Sequence, residues 1–477
     1  MRTSITCLVV LVAAIPASAR IINVPAEYPT IQAGIDASVN GDTVLVAPGE
    51  YTENISINGK EITLTSSNGP YETTIVGHLG ISDFADSAGC IFQGFTLVNQ
   101  NNDPYVGQPG IEIDSGKPRI VGNIIRHHYW NNFGGAIRLI SPYAVISHNI
   151  MEDNWAMGAG GGIHSEYGVD IEISYNIIRN NRSGYGYAGV GLGAGIYISR
   201  GRIFYNLIYD NSVRCITQPG PFCGCGGGVF WSGRLPSQIY NNTIANNIAI
   251  RNTYWGDGGG IFADHYSFDT LIIENNIIAF NQRGGLAIRY HSPESLYLAP
   301  ERYNLLFGNQ AYDISAPDTS LTDIFADPLF TDTCSQDYSL LAGSPCIDAG
   351  DPTFPLDPDS TRVDIGALFF DRRVEIDGGG TLPSYQFELH QNYPNPFNAQ
   401  TTISYALPEA SQVSLIVFDI SGRIVRRFSR DASQEAGTHR YVWDGTDISA
   451  KPVPTGIYFY LLQVNDIKMV RSMILLK

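Results

Sequence analysis

Asp264, Arg289 and His291 are side chains whose types and spacing could carry acid–base chemistry on a bound anion. A carboxyl group exchanges a proton, an imidazole relays one near neutral pH, and a guanidinium grips a carboxylate in two-point fashion. These are the candidate catalytic residues. They lie 25 and 27 positions apart from Asp264, so they meet only if the chain returns on itself with about that period. A second set suits binding without turnover: Trp130, Arg138, Trp155, His164, Glu166, Tyr197, Phe230, Trp255 and Phe262. Its rings either offer flat faces to sugar CH groups or pack on one another.

The period exists. Asn followed by two apolar residues recurs at Asn123, Asn149, Asn176, Asn206, Asn242, Asn276 and Asn304, at intervals of 26 to 36. A second phrase, small-Gly-apolar, recurs out of phase at Gly135-Ala136-Ile137, Gly162-Ile163, Gly195-Ile196, Gly228-Val229, Gly260-Ile261 and Gly285-Leu286. Such self-similarity marks a stack of coils. Helical apolar spacing is absent within a repeat. Strand-like pieces such as Asp170-Ile171-Glu172-Ile173-Ser174 are broken by Gly and Asn, so the coils are β and short-stranded. Stacking at a strand spacing of about 4.8 Å would put the Asn residues in a side-chain amide ladder. Taking each apolar anchor as inward, one outward row reads Arg138, His164, Tyr197, Phe230, Phe262, Arg289. The row two residues on carries Glu166, Asp264 and His291. His164 with Glu166 falls roughly three coils from Asp264, about 14 Å at strand spacing, too far for the paired carboxyls of a glycosidase.

These phrases resemble the right-handed parallel β-helix proteins of the pectin-lyase-like class, over roughly residues 22–370. The fold class implied is all-β, a right-handed parallel β-helix solenoid followed by a small immunoglobulin-like β-sandwich. The class includes lyases, hydrolases, epimerases and adhesins, so fold does not decide activity. The polygalacturonase motifs of the class (Asn-Thr-Asp, Asp-Asp, His-Gly, Arg-Ile-Lys) are absent, and Lys117 is the single lysine of the regular stack. The expectation is therefore a polysaccharide-binding or adhesive surface protein. The alternative is a polysaccharide lyase or glycoside hydrolase acting on uronate-containing glycans.

The remaining expectations follow in chain order. Residues 1–19, with Arg2, an apolar run and Ala17-Ser18-Ala19, read as a secretory signal. Residues 20–90 form an amino-terminal cap and first coils, with a helix over 31–38 and strands over 43–46, 53–57 and 61–65. Regular coils run over 91–310 and a closing segment over 311–370. An exported chain permits disulfides: Cys334 with Cys346, and Cys215 with Cys223 or Cys225. Asp327, Asp348, Asp351 and Asp364 either cap turns or supply the oxygens that Ca²⁺ takes. No dedicated metal site is expected from Cys or His. Residues 371–384 form a linker. Residues 385–477, with Asn392-Tyr393-Pro394-Asn395-Pro396-Phe397, Asp419 to Gly422 and Pro454-Thr455-Gly456-Ile457-Tyr458, resemble the carboxy-terminal sorting domain of the type IX secretion pathway. That resemblance implies the secretion machinery as a partner, and a secreted or outer-surface location on a Gram-negative bacterium. The formal charge of −17 argues against nucleic acid. No segment beyond the leader is apolar for the ~20 residues a membrane span needs. A monomer is expected.

Overall fold

Each coil is a run of short strands rich in β-branched residues, which favour the pleat, separated by bends at Asn, Gly or a residue in the left-handed region. The coil over residues 143–165 consists of Tyr143–Ser147, Ile150–Glu152, Trp155–Ala156 and Ile163–Ser165. Each strand pairs in parallel with its counterpart one coil on. The computed structural model describes residues 19–477 apart from 86–88, 100–106, 141–142, 166–169, 185–190, 215–223, 234–235, 251–257, 266–269, 291–300, 316–319, 358, 371–387, 390–391, 393–396, 399, 408–410, 420–422, 435–436, 449–450, 465–466 and 476–477.

Four parallel sheets result. The first has eleven strands, from Ile21–Val24 to Glu301–Arg302, and the second has ten, from Gly49–Tyr51 to Leu305–Phe307. The third has ten, from Ile55–Asn58 to Ile314–Ser315, and the short fourth has five, from Tyr129–Trp130 to Ile248–Ile250. Inward residues stack like on like. Ile120, Ile146, Ile173, Ile203, Ile239 and Ile273 form one column, and Ile125, Met151, Ile178, Ile208, Ile244, Ile278 and Leu306 another. All are fully buried, each contributing about 1.5–3 kcal/mol relative to exposure. The Gly phrase has a steric cause: a Cβ on Gly161 would lie 2.3 Å from the Arg182 carbonyl oxygen.

The Asn column is an amide ladder, and there are two of them. Asn206 shows the pattern. Its Oδ1 accepts from the Asn176 backbone and side-chain amides, both at 2.9 Å. Its Nδ2 donates to Ile173 O at 2.8 Å and to Asn242 Oδ1 at 3.0 Å. The second ladder lies five residues on, through Asn154, Asn181, Asn211, Asn247, Asn281 and Asn309. Sequence reading picked out the first ladder only, although the +5 offset recurs in every coil from Asn149 onward. Both ladders end on carboxylates, which can only accept: Asn304 donates to Asp323 and Asn309 to Asp313.

Helix α1 (Ile31–Ala37), capped by the Thr30 hydroxyl, buries Ile31, Gly34 and Ile35 against the first strands. The closing segment returns along the second sheet. Phe330, Tyr338, Leu340, Cys346 and Ile365 cover Tyr209, Ala245, Ile277 and Leu305. The Cys334–Cys346 staple is not formed. Cys334 sits on the exposed turn Thr333–Ser335, Cys346 is buried in that apolar cluster, and both are thiols. Cys215 and Cys223 lie outside the described residues. A maleimide is therefore expected to label Cys334 in the native protein and to spare Cys90 and Cys346, checked by peptide mass mapping; a disulfide-linked 334–346 peptide pair would contradict it.

The carboxy-terminal region is a separate antiparallel sandwich. A sheet of Glu388–Leu389, Thr401–Leu407 and Gly437–Trp443 faces one of Ile424–Gln434, Ser411–Asp419, Gly456–Val464 and Ile467–Leu475. Its core holds Trp443, Tyr405, Tyr460 and Phe397.

Candidate functional site

The expected outward row lies on the third sheet, and register brings most of it together. Arg138, His164, Tyr197, Phe230 and Phe262 are successive partners, headed by Glu112. The next partner of Phe262 is Ala287, not Arg289. Arg289 falls two residues further on, opposite Asp264. The last coil is thus aligned on Leu286. His291, Glu166 and Trp255 lie outside the described residues.

The aromatic part of this row packs largely on itself, while Glu112, Arg138 and Tyr197 are half-buried. Its rings stack face to face, Phe133 on His164 at 4.8 Å, His164 on Tyr197 at 4.8 Å, Tyr197 on Phe230 at 5.3 Å and Phe230 on Phe262 at 5.4 Å. His164, Phe230 and Phe262 are 4%, 2% and 6% exposed. Strand spacing matches the spacing of stacked rings, so a row of aromatics in register spends its faces on itself. Burial, with the Arg138 cation adding to it, pushes the His164 imidazole down to about 3. Arg138 pairs with Glu112 and lies over the Trp130 ring at 5.0 Å. Trp155 meets Tyr129 edge-on at 6.3 Å on the fourth sheet. Asp264 is buried at 3% exposure.

A more exposed aromatic column lies elsewhere among the described residues, at the bend from first to second sheet. The residue before each ladder Asn takes a left-handed conformation: Gly122 (φ 65°), His148 (58°), Tyr175 (56°), Tyr205 (52°), Asn241 (50°), Asn275 (57°) and Tyr303 (55°). Gly and Asn adopt that region readily, whereas bulky side chains do so at a cost. Asn241 and Asn275 serve the closing segment: Asn241 Nδ2 donates to Asp364 O, and Asn275 Oδ1 accepts from the Asp351 amide. Upstream of that contact the column is aromatic, as it is again at Tyr303 beyond it, and His148 and Tyr175 are exposed while Tyr205 is half-buried. His148 stacks on Tyr175 and Tyr175 on Tyr205, both at 5.1 Å, and Tyr175 is 49% exposed.

Neighbouring rings widen the strip. Phe204 stacks on Tyr240 at 4.9 Å, and Phe354 of the closing segment meets Tyr240 edge-on at 5.5 Å. Glu172 and Arg202 form an ion pair alongside, at 2.9 Å. Partial burial raises the Tyr205 and Tyr240 hydroxyls above the usual phenol range, and burial with Glu172 nearby raises Tyr175. The phenols therefore stay protonated, able both to donate and to accept. Sequence reading missed this column. Its signal was the residue before each ladder Asn: His148-Asn149, Tyr175-Asn176, Tyr205-Asn206.

The aspartates considered for Ca²⁺ spend oxygens on nearby groups. Asp327 caps Leu329 N, Asp351 caps Thr353 and pairs with Arg302, and Asp364 accepts from the amides of Asp348 and Phe370. Among the described residues no group of three or more His, Cys, Asp or Glu side chains is arranged to hold a metal ion. No described helix is long and apolar enough to cross a membrane.

Residues 73–244 match the right-handed β-helix region family, and residues 395–466 match the FlgD Ig-like domain. The solenoid is a right-handed parallel β-helix. The uncharacterized protein YwoF of Bacillus subtilis (strain 168) is 27% identical over 206 residues, spanning 39% of this chain and 40% of its own length. Among solved structures, pectate lyase Pel9A is 14% identical at a TM-score of 0.37, over 74% of this chain and 97% of its own. PorZ, a bacterial surface component of the type-IX secretion system of Porphyromonas gingivalis, is 17% identical at a TM-score of 0.15, over 19% of this chain and 11% of its own.

Proposed function

We propose that this β-helix protein binds an extracellular polysaccharide without turning it over, at the exposed His148–Tyr175–Tyr205 corner, and that its sandwich domain directs it through the type IX pathway to the outer surface of a Gram-negative cell. The observation that carries the binding reading is the run of three stacked rings in a left-handed conformation at His148, Tyr175 and Tyr205, two of them exposed. Strained residues kept at a solvent-facing position point to a role outside folding. Stacked rings present their edges and hydroxyls to solvent at about one coil spacing. An extended glycan running along the axis can meet such a comb at a similar repeat.

The test is binding of the secreted chain to an array of pectin, alginate, xylan, cellulose and glycosaminoglycans. The double substitution Tyr175→Ala, Tyr205→Ala removes two hydroxyl partners, each contributing about 0.5–1.5 kcal/mol. The expected outcome is a roughly tenfold or greater loss of affinity with the fold retained by circular dichroism; unchanged affinity would remove the corner from the reading. The alternative, a lyase or hydrolase acting on uronate-containing glycans, is supported by the register of Asp264 with Arg289. Release of unsaturated or reducing ends on the same array would replace the first reading with that one.

A further inference from the structure

The ring column stops at an open step. One coil above His148 its position is taken by Gly122, set there by the register of Val121 with Ser147 and Ile124 with Ile150. A Cβ built on Gly122 would meet no heavy atom within 4 Å. At every lower coil down to Tyr205 a ring sits about 5 Å beneath the one above. His148 is exposed, and the side of its imidazole away from Tyr175 faces the position that Gly122 leaves bare. Val121, half-buried, precedes Gly122 in the chain, and Ile124 beyond the bend is buried.

We infer that this step is a stacking subsite for the terminal pyranose ring of a linear glycan, which lies on His148 in the space above it and continues the column by one ring. A ring whose CH face is apolar and whose rim carries hydroxyls matches a floor of imidazole beside valine and water. A stack spaced at the coil repeat accepts one further ring without rearrangement, because His148 is already held from below by Tyr175. Arg119, exposed on the strand that leads into the bend, is the cation on offer to a ring that carries a carboxylate, whereas Arg126 beyond the bend pairs with Glu152. The inference rests on the reading of the corner as a glycan platform and assigns the end of the chain to one place on it.

Cellotetraose and tetragalacturonate are the neutral and acidic probes, titrated calorimetrically and by NMR of the His148 ring protons. Gly122→Asn fills the step with a residue that adopts the same backbone region at Asn241 and Asn275. The expected result is a tenfold or greater loss of affinity for whichever probe binds the wild type, with an unchanged melting temperature, and a shift of the His148 ring signals on saturation of the wild type. Full affinity in Gly122→Asn, alongside loss in the tyrosine double variant, overturns the step and leaves the platform. Wild-type protein that binds neither probe nor any arrayed glycan overturns both. If Gly122→Asn does not fold, His148 signals that stay fixed in saturated wild type are the overturning result.

Discussion

Asn206→Ala is expected to lower the stability of the solenoid by about 3–5 kcal/mol, seen as a lower urea midpoint. The substitution removes the acceptor for two amides of Asn176 and the donor to Ile173 O. All of these groups are buried, and each one left without a partner costs about 1–3 kcal/mol. Partial relaxation keeps the total below the sum. Asn211→Ala, in the second ladder, is expected to behave alike, since its bonds repeat the pattern. Gln238→Ala, on the outer face of the first sheet one coil further along, is the control and should stay within about 0.5 kcal/mol. An Asn206→Ala protein that unfolds with the wild type would mean that the ladder decorates the stack without holding it.

Two buried histidines are expected to contribute less and less to stability as the pH falls. Burial pushes His128 and His164 down to about 3, below the unfolded value near 6.5. The native state then binds fewer protons than the unfolded one between those limits. Their contribution is complete above about pH 6.5 and drains as pH falls toward 3, at about 1.4 kcal/mol per pH unit for each. Three carboxyls act with the opposite sign. Burial raises Asp357 to about 7 and Asp364 and Asp323 to about 6, so the stability they contribute is complete near pH 4 and lost as pH rises through those values. The two groups offset each other in the wild type alone. The comparison that isolates the histidines is with the double variant His128→Asn, His164→Phe. Asn at 128 extends the second ladder by a coil, and Phe at 164 keeps the ring stack between Phe133 and Tyr197. Between pH 6 and 4 the variant should gain on the wild type by about 3 kcal/mol per pH unit; parallel stability curves would show that neither imidazole is held neutral.

The architecture was legible because its signals are local and repeated. Asn before two apolar residues, and Gly before the anchor, recur in each coil for steric and hydrogen-bonding reasons that hold at any position in the stack. The first-coil strand expected over 43–46 is Thr43–Val46. The site was less legible because outward direction is not exposure. His164, Phe230 and Phe262 point away from the core as alternation requires, yet they are buried in a second apolar layer with Leu192, Cys225 and Tyr312 or in their own ring stack. Nor does a two-residue alternation rule describe a bend. His148, Tyr175 and Tyr205 sit where the strand pattern breaks, and what joins them in the sequence is that each precedes a ladder Asn.

Asp313 and Asp323 have one more consequence. An amide passes on what it receives, taking a proton contact from one neighbour and giving one to the next, so a file of amides has no natural length. A carboxylate ends the relay, as Asp313 does for one file and Asp323 for the other. The chain's last turns thus offer an arriving copy no donor in either file. Each file stops at the closing segment on a group that only receives.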